Sequence, residues 1–113
     1  NDEERPQIAS VIYNRLRADM SLSLESTILY EFPEHEGAPT MEMLELENPY
    51  NTYISKGLPP TPICNPGIAS INAALNPAST GYYYFTLDTA TETHRFFTNF
   101  NEFNNFVATQ DYG

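Results

Sequence analysis

The chain has 113 residues, 15 acidic against 5 basic side chains, and a formal net charge of −10. That balance argues against a nucleic-acid backbone or an anionic membrane surface as the partner, because the long-range field repels both. The length suits one small domain with a modest core, and the single cysteine, Cys64, excludes an internal disulfide and gives no sign of redox compartment.

The chain opens on Asn1-Asp2-Glu3-Glu4 without an initiator Met and reads as an excised piece of a longer protein. It shows no signal peptide and no run of transmembrane length. Acidic residues followed by Pro6 make a good helix start, with negative charge at the positive end of the dipole. Ile8, Val11, Ile12 and Leu16 recur at helical spacing and predict a helix from about Arg5 to Ala18. Its other face holds Asn14 and Arg15, which read first as a solvated face.

Leu22 and Leu24 alternate with Ser21 and Ser23, the pattern of a short extended piece. Ser26 is placed to cap a short helix from Thr27 to Phe32, and Thr40 to cap another beginning at Met41. The stretch between and beyond them is acidic, with Glu31, Glu34, Glu36, Glu42, Glu45 and Glu47, which reads as solvated surface. His35 between Glu34 and Glu36 lacks a second histidine at ligand spacing, so no metal site is expected.

Asn48-Pro49-Tyr50-Asn51-Thr52-Tyr53 and Gly57-Leu58-Pro59-Pro60-Thr61-Pro62-Ile63-Cys64-Asn65-Pro66-Gly67 form the most informative stretch. It is too rich in Pro, Gly and Asn for a helix or central strand. Its two tyrosines, with Leu58 and Ile63 expected to be buried, separate it from a flexible linker. A stiff aromatic loop of this kind shapes a binding groove or covers the core. Tyr50 and Tyr53 could stack on sugar faces or sit in the core with satisfied hydroxyls. Asn51 and Thr52 could bind sugar hydroxyls or hold the loop. Cys64 reads as a small buried residue rather than a nucleophile, because only His35 and His94 could serve as its base.

Asn65 as cap and Pro66 in the first turn predict a helix with an apolar stripe of Ile68, Ile71 and Leu75, ending near Asn76-Pro77. Tyr82 to Leu87 and Thr93 to Phe97 predict a β-hairpin around a turn at Asp88 to Thr91. Thr98 or Asn99 then caps a last helix with Phe103, Phe106 and Val107. Glu102 is expected to be structural, in a cap or paired with Arg95, and His94 reads first as a structural strand histidine. The fold class is α+β.

Taken together and in order, several of these segments resemble one family. The long loop resembles "NPYNTY…GLPP.PI.NPG..SI.AA..P" of the catalytic domain of MltG (YceG-like) endolytic murein transglycosylases. Upstream, Glu4-Arg5 and Ile8 to Leu16 resemble "ER…VASV..NRL", and Met20 to Tyr30 resemble "M.LQSDPTV.Y". Downstream, Tyr82 to Phe85, His94-Arg95-Phe96, Thr98 and Glu102-Phe103-Asn104 resemble "YLYFV…H.F..T..EHN". The departures are Ser23 for Gln, Glu25 for Asp and Phe103 for His.

The resemblance implies cleavage of peptidoglycan glycan strands to 1,6-anhydro ends. One glutamic acid of raised pKa would serve as acid and then base, in place of the two carboxylates of a hydrolase. It implies that this glutamate lies upstream of Asn1, so no catalytic residue is expected within the chain, which alone would be inactive. The substrate-binding residues it implies are Asn14, Arg15, Glu25, Thr27, Tyr30, Tyr50, Asn51, Thr52, Tyr53 and His94. The whole 1–113 would be the C-terminal part of that domain. The parent would face the cell wall from an N-terminal membrane anchor, with elongation or division proteins as candidate partners. The competing expectation is a glycan- or protein-binding module without chemistry. An older family label, aminodeoxychorismate lyase, would require pyridoxal phosphate on a lysine. Lys56 is the sole lysine, in a loop without a phosphate-cradling glycine run, so no cofactor is expected.

Overall fold

A computed structural model of the chain describes residues 3–110. Its elements are helices α1 (Arg5–Arg17), α2 (Glu25–Leu29), α3 (Met41–Glu45), α4 (Ile68–Leu75) and α5 (Phe100–Val107), with strands β1 (Tyr84–Asp88) and β2 (Thr93–Phe97) between the last two helices. This is the expected α+β content. The chain separates into two compact units. One takes in residues up to Asn14 and from Pro66 onward, and the other is Arg15–Asn65.

In the first unit, β1 and β2 form an antiparallel hairpin pairing Tyr84 with Phe97, Phe85 with Phe96 and Leu87 with His94. Side chains alternate across a strand, so Tyr84, Phe97 and Arg95 share one face and Phe85, Phe96 and His94 the other. Helix α5 packs on the first face. Phe103 stacks on Tyr84 at 5.3 Å between centroids and meets Phe97 edge-on at 5.9 Å. Arg95 lies 5.0 Å over the Phe106 ring and pairs with buried Asp88 at 3.4 Å, while Glu102, expected in a cap or on Arg95, donates its N–H to the Asn99 cap. Asn99 caps α5, its side chain accepting the backbone N–H groups of Asn101 and Glu102. Of the expected strand, Tyr82 and Tyr83 precede β1, although Tyr83 still donates its N–H to Phe97 O.

Val11 of α1 is buried, but so are Ser10 and Asn14 of the same helix. Ser10 meets Thr80 hydroxyl to hydroxyl at 2.7 Å, and Tyr13 donates to Ala74 O at 2.8 Å. A helix that reads as amphipathic is therefore fastened largely by polar contacts. Asp2, expected to help start this helix, lies outside the described residues.

Helix α4 corrects two expectations. It begins at Ile68 behind Gly67, without a side-chain cap, so Asn65 does not cap it and Pro66 is not in its first turn. Its buried residue is Ala73, while the expected core stripe is exposed, Ile68 at 77% and Leu75 at 73%. The stripe has helical spacing, but the small-residue side of the helix is the one that packs. Arg5 reaches Ser70 of α4 with a guanidinium hydrogen bond.

In the second unit, Leu22 and Ile28 are the buried apolar residues. Thr40 caps α3 as expected, accepting Met43 N–H. Helix α2 starts at Glu25, two residues before the Thr27 start that a Ser26 cap would give, behind Leu24 and without a side-chain cap. The expected extended piece is interrupted at Ser23, which takes φ 51° in the left-handed region, while Leu24 is extended. Leu58 is 69% exposed and Cys64 is exposed, against the expectation of burial for both. No helix among the described residues is long and apolar enough to cross a membrane.

Candidate functional site

Most of the residues singled out from sequence meet in the second unit, around the Asn48–Tyr53 turn. Asn48 folds its side chain onto the backbone, Oδ1 accepting Tyr50 N–H at 2.8 Å, and its carbonyl accepts Asn51 N–H at 2.9 Å. Asn51 repeats the device on Tyr53 N–H at 3.0 Å. Such local side-chain bonds are why Asn stiffens a turn. The other end of Asn51 does more. Its amide donates to Leu44 O at 3.0 Å and Leu46 O at 2.8 Å, covering carbonyls left open where α3 ends.

Thr52 and Thr27 form the second anchor. Their hydroxyls are 2.8 Å apart in a buried contact. Leu24 O accepts a hydroxyl proton from Thr27 at 2.8 Å or from Thr52 at 3.3 Å, and the other hydroxyl then donates across the pair. Thr52 Oγ1 in turn accepts Leu24 N–H at 2.8 Å, and Thr52 O accepts Ser23 N–H at 3.0 Å. Asn51, Thr52 and Thr27 are all 1–2% exposed. All three hold the loop through these bonds.

The remaining members are the exposed Glu25, Tyr30 and Tyr53 and the half-buried Arg15 and Tyr50. Tyr30 and Tyr50 lie 5.1 Å apart at a tilt of 40°, and Tyr50 OH meets Thr61 Oγ1 at 2.7 Å. Arg15 donates through Nη1 to Ser21 O at 2.9 Å and Leu22 O at 3.1 Å, so it anchors the loop after α1. Glu25 opens α2 with an exposed carboxylate. Partial burial raises the Tyr53 pKa above the usual tyrosine value, the Glu25 charge adds to that, and Arg15 opposes it. Tyr53, Glu25 and Arg15 are thus close enough to sense one another.

Asn14 and His94 belong to the first unit. Asn14 is buried, not solvated, and its amide donates to Thr80 O at 3.0 Å and Tyr82 O at 2.8 Å. It ties α1 to the segment entering the hairpin. His94 pairs with Glu4, which the sequence places at the helix start and in the Glu4-Arg5 motif. Glu4 accepts His94 backbone N–H at 2.7 Å and the ring Nδ1–H at 2.8 Å, one on each oxygen. A carboxylate can only accept, so the ring carries its proton on Nδ1. The hydrogen bond from the His94 ring, with that from its backbone, holds the Glu4 carboxyl below the usual glutamate range, against the opposing effect of burial. A general acid needs the reverse shift. The partners are 90 positions apart, so no local signal shows the pairing.

His35 Nε2 meets the Ala38 carbonyl at 2.8 Å. No group of three or more His, Cys, Asp or Glu side chains suited to a metal occurs among the described residues. Lys56 is exposed and reaches Asp19 at 3.4 Å.

A model of the YceG-like family matches residues 1–109. The endolytic murein transglycosylase of Bacillus subtilis (strain 168) is 46% identical over 82 residues, 73% of this chain and 23% of that protein. The protein of the same name from Streptococcus pneumoniae (strain D39) is 32% identical over 93 residues, 76% of this chain and 16% of its own length. A crystal structure of a YceG-like protein from Listeria monocytogenes superposes with a TM-score of 0.82 at 46% identity, covering 87% of this chain and 32% of the other. The chain therefore spans less than a quarter of the curated relatives it matches.

Proposed function

Because this chain belongs to the YceG-like family, we propose that it is the C-terminal part of the catalytic domain of an endolytic murein transglycosylase, cutting peptidoglycan strands to 1,6-anhydro ends. The observation that supports this most is the 46% identity to the Bacillus subtilis enzyme over 82 residues. In this reading the scaffold of Thr27, Asn51 and Thr52 presents Glu25, Tyr30, Tyr50 and Tyr53 to the glycan, with Arg15 fixing the neighbouring loop. Tyrosine rings offer flat apolar faces with a polar tip, which suits sugar rings edged by hydroxyls. Asn14 and His94 act as anchors within the other unit.

The general acid belongs upstream of Asn1. Glu4 is buried, but the His94 hydrogen bonds favour its charged form, and a charged carboxylate cannot protonate a leaving oxygen. The parent protein would work at the outer face of the cell membrane, held there by an N-terminal anchor, with wall-elongation or division proteins nearby. Mass spectrometry of digested peptidoglycan tests the reading. A form extended upstream through the preceding helix should release anhydro-ended products, and the 113-residue chain should release none. Products from the short chain would place the acid within it. Absence of product from both forms would leave a glycan- or protein-binding module.

A further inference from the structure

A second surface lies beside the tyrosine cluster, within the same unit. An open groove of about 540 Å³ runs along the loop and is lined by Glu47, Asn48, Pro49, Ile54, Ser55, Lys56, Leu58 and Pro60. We propose that this groove binds the peptide branches of murein, not its sugar rings. The inference rests on the transglycosylase reading above and deepens it.

Three features point that way. The lining contains no aromatic ring, although Tyr50 and Tyr53 lie within the same stretch of sequence. Its apolar residues are aliphatic and prolyl, and they fit small aliphatic side chains such as alanine better than a sugar face. Leu58 is 69% exposed and Ile54 is 44% exposed, so binding would cover apolar surface that the fold leaves open.

The rim holds opposite charges, Lys56 and Glu47. Murein peptides bear several carboxylates together with the amine of a diamino acid, so the charges match in kind. The pair that Lys56 makes with Asp19 is 3.4 Å long with both side chains exposed, and such contacts exchange easily for a ligand carboxylate. The wall of the groove is stiff. Pro49 and Pro60 restrict the backbone, and the Asn48 carbonyl accepts Asn51 N–H at 2.9 Å. Little ordering is then needed on binding.

The test is an NMR titration of the chain with two probes, the free tripeptide L-Ala-γ-D-Glu-L-Lys and the tetramer of N-acetylglucosamine. The tripeptide should shift the methyl signals of Ile54 and Leu58, and the sugar tetramer should leave them in place. K56E should weaken tripeptide binding about five-fold, as expected for reversing a rim charge. L58S should weaken it as well, and both sites are exposed, so folding survives. Sugar-induced shifts at these methyls, no tripeptide shifts at millimolar concentration, or unchanged affinity in both variants would overturn the proposal. Release of anhydro ends is scored separately. Its loss from the extended form sinks the transglycosylase reading, while its persistence without tripeptide binding sinks the groove alone.

Discussion

Thr27 and Thr52 sit 25 positions apart and share a buried hydroxyl–hydroxyl bond of 2.8 Å. The bond joins the first turn of α2 to the centre of the long loop, and each hydroxyl also serves the backbone of Leu24. Whatever the loop binds, this contact sets where its tyrosines stand.

Thr52→Val keeps the shape of the side chain and removes the acceptor for Leu24 N–H. A buried amide left without a partner costs about 1–3 kcal/mol. Urea denaturation should show that loss, and combining it with Thr27→Val should cost less than the two single changes added, because they share one bond. Strict additivity would deny the coupling.

Asn51→Ala uncovers the Leu44 and Leu46 carbonyls and frees Tyr53 N–H. The expected destabilisation is about 2 kcal/mol, and amide exchange in α3 and at Tyr53 should speed up together. Asn51→Asp should not restore the wild-type stability, since a carboxylate cannot donate to carbonyls.

The Glu4 carboxyl is held below the usual glutamate range by its bonds to His94. A lowered folded-state pKa contributes stability that is present above the unfolded value, about 4.3, and lost as pH falls through the folded value. Thermal melts should therefore show Glu4→Gln closing much of the gap to the wild type as the pH drops from neutral to below about 4. An equal deficit at every pH would mean that the charge of Glu4 is not what matters.

Gly57 lies at φ 88°, and a Cβ added there would meet nothing within 4 Å, so any penalty for a side chain comes from the backbone alone. Gly57→Ala should cost about 1 kcal/mol and lower the melting temperature. An unchanged melt would show that the loop can relax to negative φ.

Tyr53 should titrate above free tyrosine, because burial and the Glu25 charge both disfavour the phenolate. In ultraviolet titration, Glu25→Gln should move that component toward lower pH. No movement would separate the two groups.

Much of the fold was legible in the sequence because its signals are local. Helical spacing of Ile8, Val11 and Ile12 announced α1, Thr40 announced the cap of α3 and the pair Thr98-Asn99 that of α5, and an aromatic-rich run from Tyr82 announced the hairpin. The loop was legible too, since proline and asparagine restrict their own backbone wherever they stand. Tertiary packing decided the rest. It buried Ala73 and left Ile68 and Leu75 of α4 in solvent, although spacing alone marks the larger residues for the core. It turned Asn14 inward onto two carbonyls and placed Arg95 on Asp88. It also joined Glu4 to His94 and Thr27 to Thr52. Those pairs form because each buried polar group must find a partner, and which partner comes within reach depends on how distant segments are brought together, which no local pattern encodes.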